Sequence, residues 1–149
     1  MREQEEWEKL YAPIDLQGKT VLDCGAGEGE SARFYLGKGA KTVYCIEPDD
    51  DAFRLLKKNA SLHPGIVPIQ KCFELSDLQR NFDFMKMDIE GYEEVLLVAP
   101  DLPFPALVEV HSIPERLRFE DRGWKTYFQN FNVSKGFGAV CYVYWGCYP

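Results

Sequence analysis

Short apolar runs alternate along the chain with amphipathic segments, and glycine, proline or acidic residues separate them. Runs of this length are typical of strands, whereas apolar residues spaced three and four apart indicate helices. The apolar runs predict strands at residues 19–24, 41–46, 66–73, 82–87 and 106–110. The amphipathic segments predict helices at residues 2–11, 31–38, 49–61 and 92–99. Helical or turn-like structure is predicted at residues 114–122 and 124–130.

This alternation predicts an α/β fold with a doubly wound, mostly parallel sheet and helices on both faces. Pro68 removes a backbone donor and so predicts an edge position for the third strand. Near the C-terminus, residues 133–135 and 139–145 are predicted to pair as an antiparallel hairpin across Gly136, Phe137 and Gly138. A length of 149 residues fits one domain over residues 1–149.

A glycine-rich turn follows the first predicted strand. Gly25, Gly27 and Gly29 alternate with other residues directly after Asp23, and a helical pattern then begins. Such a turn brings the free N–H groups of a helix N-terminus close to a ligand. A dinucleotide fingerprint needs its third small residue at position 30, which is Glu30, so the glycine spacing disfavours an NAD-type cofactor.

The acidic residues of this turn also disfavour an NAD-type cofactor. Glu28 and Glu30 would repel a pyrophosphate but tolerate S-adenosylmethionine (SAM), which carries a sulfonium and an ammonium. The segment resembles motif I of the class I (Rossmann-like) SAM-dependent methyltransferases, whose sheet ends in an antiparallel hairpin. The resemblance implies a cofactor grip by Asp23, Gly25, Ala26, Gly27 and Gly29.

A second cofactor contact is predicted at the end of the second strand. Glu47 lies 22 residues after Gly25, near the spacing of about 20 residues expected for the acid that binds ribose hydroxyls. By resemblance Glu47 is the motif II acid, followed by Pro48 in the cofactor site. Phe73 ends the third strand, where it either stacks on the adenine or packs in the core.

The fourth and fifth strands carry two further signatures. They read K-x-D-I-E-G-x-E over residues 86–93 and V-E-V-H over residues 108–111. The combination is similar to the FkbM-like methyltransferases, and the resemblance covers roughly residues 19 to 111. It implies methylation of a hydroxyl oxygen, as on a sugar or polyketide.

Adjacent fourth and fifth strands bring a group of polar side chains to one rim. Asp88, Glu90 and His111 are the candidates for acceptor binding or proton removal, and Asp88 is also placed to meet the methionine end of the cofactor. Glu109 and His111 lie two residues apart on a strand and so share a face. With Asp88 they offer an alternative carboxylate–imidazole metal site. Of these two alternatives, the sequence favours a site that holds no metal.

Other polar residues of these strands have structural explanations. Lys86 is predicted to pair with a nearby carboxylate or to extend out of the sheet. Glu93 and Glu94 are predicted to be solvated helix acids.

Composition restricts the choice of partner. Seventeen basic and 24 acidic residues give a formal net charge of −7, which argues against nucleic acid and for a small-molecule acceptor. The cysteines are odd in number and form no C-x-x-C pair, so neither a disulfide framework nor a zinc site is indicated. A charged N-terminal segment and the absence of a long apolar run predict a cytoplasmic protein without a membrane partner.

The aromatic C-terminal strands carry Tyr142, Tyr144, Trp145 and Tyr148. They are expected to pack under a helix or in a homodimer interface, and a substrate-stacking surface is the alternative.

The functional hypothesis is a SAM-dependent methyltransferase that transfers a methyl group to a hydroxyl oxygen of a small molecule or sugar. The alternative is a SAM-binding or nucleotide-binding module without catalysis, or a subunit of a larger methyltransferase complex.

Overall fold

The apolar runs of the chain form one seven-stranded sheet. A computed structural model describes residues 2–99, 101–130 and 140–146. None of the helices in these ranges is both long and apolar enough to cross a membrane. In chain order the elements are α1 Arg2–Tyr11, β1 Thr20–Cys24, α2 Glu30–Gly37, β2 Thr42–Ile46, α3 Asp50–Leu62, β3 Ile66–Ile69, a 3-10 helix Leu75–Gln79, β4 Phe84–Met87, a second 3-10 helix Glu93–Val98, β5 Ala106–Val110, α4 Ile113–Asp121, β6 Lys125–Asn130 and β7 Val140–Trp145.

The strand order in the sheet is β3-β2-β1-β4-β5-β7-β6. Strands β1 to β5 pair in parallel, whereas β7 runs antiparallel to both β5 and β6. The predicted fold class is confirmed, including the antiparallel C-terminal pair and the edge position of β3. In this order β1 is an interior strand, between β2 and β4.

The C-terminal pair differs from the prediction in one partner. Residues 125–130 were expected to be helical or turn-like, and this expectation is wrong because they form β6 against β7. Pairing with β7 satisfies the backbone of β6 through tertiary contacts, which local sequence preference does not report. The predicted strand at residues 133–135 and the turn at residues 136–138 lie outside the described residues.

Both faces of the sheet are covered, and strand alternation decides which side chain packs where. On β4 and β5, Phe84 and Leu107 pack on the side of α1, α2 and α3. Met85 and Val108, their sequence neighbours, pack on the side of α4. The buried core on both sides is what an α/β sandwich requires.

The N-terminal helix α1 is fixed to the sheet by aromatic packing and one buried hydrogen bond. Tyr35 on α2 donates a hydrogen bond from its hydroxyl to the Tyr11 hydroxyl at 2.8 Å. Both rings are almost inaccessible, and they meet edge to face with 5.1 Å between centroids. The helix therefore closes one side of the region above the glycine turn.

The glycine turn lies where β1, β2 and β4 end. The N–H of Gly25 donates to the carbonyl of Ile46 at 2.9 Å, and the N–H of Asp88 donates to the carbonyl of Cys24 at 2.9 Å. Gly25 has φ of 76°, and a Cβ atom there would lie 1.8 Å from the Asp88 carbonyl oxygen. This close backbone approach is possible only for glycine.

Replacing Gly25 by Ala should therefore destabilise the fold far more than the same change at Gly27. Gly27 also has positive φ, at 54°, but a Cβ atom there meets nothing within 4 Å. We expect a loss of about 3 kcal/mol or more for Gly25→Ala and about 1 kcal/mol for Gly27→Ala in urea unfolding. Equal losses would show that the Asp88 contact does not constrain the turn.

Candidate functional site

A cavity of about 330 Å³ lies above the glycine turn, at the carboxyl ends of β1, β4 and β5. Its wall is formed by the turn and the start of α2, by α1, and by side chains at the ends of β4 and β5. Open α/β sheets bind their ligands at this edge. The cavity is therefore the candidate functional site.

The polar lining of this cavity is strongly acidic. Glu28, Glu30, Asp88 and Glu109 contribute carboxylates, and among the described residues that line it Lys86 is the basic one. A lining with this charge favours a cationic ligand group and disfavours phosphate. Glu28 and Glu30 are thus present at the cavity as the sequence predicted.

A buried ion pair lies beneath the cavity. The parallel register of β1 and β4 pairs Asp23 with Lys86, and the Lys86 Nζ atom lies 3.3 Å from the Asp23 Oδ1 atom. The same Nζ donates to the carbonyl of Gly25 at 3.3 Å. Ser31, at the start of α2, donates its hydroxyl to the other Asp23 oxygen. Asp23 therefore ties the turn, α2 and β4 together.

The charges of this pair are strongly coupled. The Asp23 side chain is wholly inaccessible and that of Lys86 is 13% exposed. Burial alone would lower the pKa of Lys86, but attraction to Asp23 and Asp88 outweighs it and holds that pKa above its usual value. The prediction that Lys86 pairs with a carboxylate is confirmed. Asp23 itself is not among the residues that line the cavity, and it supports the glycine turn from below.

Glu47 directly follows β2 and lies beside the glycine turn. Its carboxylate accepts from the N–H of Gly27 at 2.8 Å and from the N–H of Asp49 at 2.9 Å. The residue is 8% exposed. These bonds fix the turn to the end of β2 and leave further lone pairs on the two oxygens for hydroxyl donors.

The other residues predicted near the adenosine differ in environment. Pro48 is exposed at the start of the loop before α3. Phe73 is 5% exposed and belongs to the hydrophobic core on the α4 side of the sheet. Of the two alternatives predicted for Phe73, the structure therefore shows packing in the core.

Asp88, which lines the cavity, meets His111, which lies outside the lining. The His111 Nε2 atom lies 3.2 Å from the Asp88 Oδ1 atom. The hydrogen bond to Asp88 raises the pKa of His111 to about 9. Burial alone would raise the pKa of Asp88, but the bond to His111 and the charge of Lys86 outweigh it and lower that pKa. At neutral pH the titratable proton of the pair therefore resides on His111, and Asp88 is ionised.

The turn after β4 separates two glutamates that the sequence presents together. Glu90 has φ of 53° and an exposed side chain, and it is not among the residues that line the cavity. Glu93 is inaccessible and accepts from the N–H groups of Ile89 and Gly91, each at 2.8 Å. One Glu93 oxygen lies 3.9 Å from the His111 ring. The structure thus brings Glu93, and not Glu90, beside His111.

The prediction that Glu93 is solvated is wrong, because its carboxylate is needed to satisfy the backbone of the turn. The corresponding prediction for Glu94 is confirmed, since its side chain is 46% exposed and pairs with Arg118.

Three side chains of α1 line the cavity, although the apolar stripe that they form along the helix is most simply explained by core packing. Leu10 and Tyr11 are buried and Trp7 is half-buried, and all three line the cavity. The apolar stripe of α1 is evident in the sequence, but the sequence does not show that this stripe faces a cavity.

Chains with similar sequences carry methyltransferase names. The ribosomal RNA small subunit methyltransferase A of Pelagibacter ubique is 38% identical over 65 residues, which are 44% of this chain and 25% of that protein. Protein arginine N-methyltransferase 6 of Danio rerio is 32% identical over 80 residues, 52% of this chain and 23% of that protein. The tRNA U34 carboxymethyltransferase of Pseudomonas savastanoi pv. phaseolicola is 30% identical over 89 residues, 60% of this chain and 26% of that protein.

The chain thus spans about a quarter of the length of the curated relatives it matches. No family model matches it.

Solved structures with the same fold cover nearly the whole chain. The fibrillarin of Aeropyrum pernix, solved with natively bound SAM, superposes with a TM-score of 0.66 at 15% identity over 91% of this chain and 74% of that one. The ribosomal protein L11 methylase of Lactobacillus delbrueckii subsp. bulgaricus gives 0.65 at 20% identity over 97% and 79%. The chain has the fold of the class I SAM-dependent methyltransferases, as motif I predicted.

These relatives correct the expectation about partners. The net charge was taken to argue against nucleic acid and for a small-molecule acceptor, whereas two of the relatives above are RNA-modifying enzymes and the third is a protein methyltransferase by name. The physical reason is that net charge is a sum over the whole chain, and it does not report the charge of one binding surface. The prediction that nucleic acid is an unlikely partner and a small molecule the acceptor is therefore wrong.

Breaking the Asp23–Lys86 pair should be costly because it leaves a buried charge without a partner. We expect Lys86→Met to lose about 3 kcal/mol or more in the free energy of unfolding. Lys71→Met, at a surface ion pair with 30% side-chain exposure, should lose far less, because solvent screens the charges of an exposed pair. The double variant Asp23→Asn with Lys86→Met should be more stable than the summed single losses by about 1 kcal/mol or more. Simple additivity would contradict the coupling.

Proposed function

We propose that the chain is a SAM-dependent methyltransferase. The observation that carries the proposal is the acidic cavity directly above a motif I glycine turn, in a chain with the methyltransferase fold. The sulfonium and ammonium of SAM supply the positive charge that such a lining favours. The methyltransferase names of the sequence relatives support the same activity and cofactor.

The glycine turn holds the cofactor in this proposal. Gly25, Ala26 and Gly27 line the cavity and offer their backbone to the methionine part of SAM. Glu47 accepts hydrogen bonds from the ribose diol while it keeps its bonds to the turn. Gly29 starts α2 with φ of 92°, a conformation that orients the helix N-terminus at the site.

The acceptor side of the proposal is the end of β4 and β5. Asp88 lines the cavity and is hydrogen-bonded to His111, so an acceptor hydroxyl that reaches Asp88 meets a carboxylate that can take its proton beside a protonated imidazole. The two strand signatures resemble the FkbM-like methyltransferases, and the resemblance supports oxygen as the acceptor atom. In-line approach to the sulfonium methyl makes positioning the main contribution to the rate.

Binding of SAM tests the cofactor assignment. By calorimetry, Glu47→Gln should bind SAM about 10- to 100-fold more weakly than the unchanged protein, since a bond to a charged group contributes about 1.5–3 kcal/mol. Asp51→Asn removes a carboxylate that is 87% exposed on α3 and should bind SAM normally. If NADH bound and SAM did not, the proposal would be wrong. SAM binding without transfer to any acceptor would favour a module without catalysis.

Transfer of labelled methyl from SAM to RNA, protein and small-molecule fractions of a cell extract identifies the acceptor. With that acceptor, His111→Gln should slow transfer about 100-fold or more without weakening SAM binding. Glu90→Gln changes the neighbouring carboxylate of the same signature, which is exposed outside the cavity, and should change the rate less than about threefold. The opposite ranking would restore Glu90 as the residue that handles the proton.

A further inference from the structure

Three potential metal ligands converge at the carboxyl ends of β4 and β5. Asp88, Glu109 and His111 each offer one ligand atom, and these atoms all lie within 4.8 Å of one another. The register that pairs Met87 with Val108 places Asp88 beside Glu109. His111 follows two residues later on the same face. We refer to these three residues as the two-carboxylate–imidazole cluster.

The spacing inside the cluster fits coordination. Ligand atoms bound at about 2.1 Å to one cation are roughly 3.0 Å apart at an octahedral edge and roughly 3.4 Å apart at a tetrahedral edge. The His111 Nε2 atom and the Asp88 Oδ1 atom are 3.2 Å apart, between these values. The Glu109 ligand atom lies within 4.8 Å of both of these atoms.

The backbone at the cluster is held before any ligand arrives. The N–H of His111 donates to the Glu115 carboxylate at 3.1 Å, at the start of α4. The turn that leads out of Asp88 is fixed by the buried Glu93 carboxylate. Outer bonds of this kind orient the residues that coordinate metals in proteins.

The charge of the cluster also favours a cation. Asp88 lies within hydrogen-bonding reach of both Glu109 and His111, so two carboxyl groups share one small volume. Like charges at this separation repel unless a cation or a proton offsets them, and a cation that binds the His111 ring nitrogen displaces the proton held there. Asp88 and Glu109 both line the cavity, so a cation held by them faces the space where the acceptor is expected.

We propose that Asp88, Glu109 and His111 bind one divalent cation of the Mn²⁺ type, in contrast to the metal-free site adopted from the sequence. Two carboxylates select a hard or borderline cation, and the imidazole favours a transition metal over Ca²⁺. Three protein ligands leave the remaining positions to water or to an acceptor oxygen. The role toward the acceptor rests on the proposed methyltransferase function, whereas the binding of the cation does not.

The chain has two histidines, so histidine signals give a direct readout of binding. The protein is treated with chelator, labelled at histidine and titrated with Mn²⁺ while NMR spectra are recorded. The ring signals of His111 should broaden at substoichiometric Mn²⁺, and those of His63, at the end of α3, should not. Equal broadening of both rings, or of neither, would overturn the proposal without any variant having to fold.

Variants then test the individual ligands. Electron paramagnetic resonance should show one Mn²⁺ bound per chain, and His111→Gln and Glu109→Gln should each weaken it by about tenfold or more. His63→Gln and Glu94→Gln, a histidine and an acid outside the cluster, should leave the affinity unchanged. Unchanged affinity in both cluster variants would contradict the site.

The two proposals fail separately. Mn²⁺ binding without SAM binding would retain the cation site and remove the methyltransferase, and SAM binding without Mn²⁺ binding would do the reverse.

Discussion

The buried ion pair between Asp23 and Lys86 is the interaction on which the site depends. It joins neighbouring positions of β1 and β4, and its lysine also holds the carbonyl of Gly25. Through Ser31 the same carboxylate reaches the first turn of α2. One buried charge pair therefore fixes the relative positions of the glycine turn, the helix that follows it and the strand that delivers Asp88. Because both charges are removed from water, neither tolerates the loss of the other.

The close contact between Gly25 and the Asp88 backbone extends this constraint to the acceptor side. Since the turn and the end of β4 touch directly, a shift of one moves the other. The cofactor turn and the proposed acceptor residues are thus parts of one rigid edge of the sheet. This arrangement suits a reaction in which two bound molecules must be aligned to within a fraction of an ångström.

The fold class and part of the candidate site could be predicted from the sequence, because they depend on patterns within short segments of the chain. The strand and helix alternation gave the fold class, and the distance from Gly25 to Glu47 predicted that both would lie at the same edge. Long-range placement was not accessible in the same way. The partners of Lys86 and Glu93 depend on register and on a turn geometry with φ of 53° at Glu90, and a run of four charged residues in eight does not reveal which of them turns inward.

The strand at residues 125–130 was missed for the same reason. Its backbone is satisfied by β7 and its position is set by an edge that another element had to provide. The packing of Trp7, Leu10 and Tyr11 shows the opposite case, in which the apolar stripe was evident but its partner was the cavity. The spacing of apolar residues predicts that one face of a helix is buried, whereas the tertiary structure is needed to show what that face packs against.

The correction about partners follows from where the acidic residues lie. Four of the 24 acids, namely Glu28, Glu30, Asp88 and Glu109, line one cavity, so part of the net negative charge belongs to the proposed contact with a cationic cofactor. Because these four carboxylates belong to the cavity lining, they do not report the charge of the surrounding surface that an acceptor would touch. An acidic methyltransferase can therefore serve a polyanionic acceptor, provided that basic groups lie at the rim of the site and not in its lining. The acidic lining of the cavity therefore bears on the proposed methyl donor, whereas the acceptor is expected to contact the surface around the cavity.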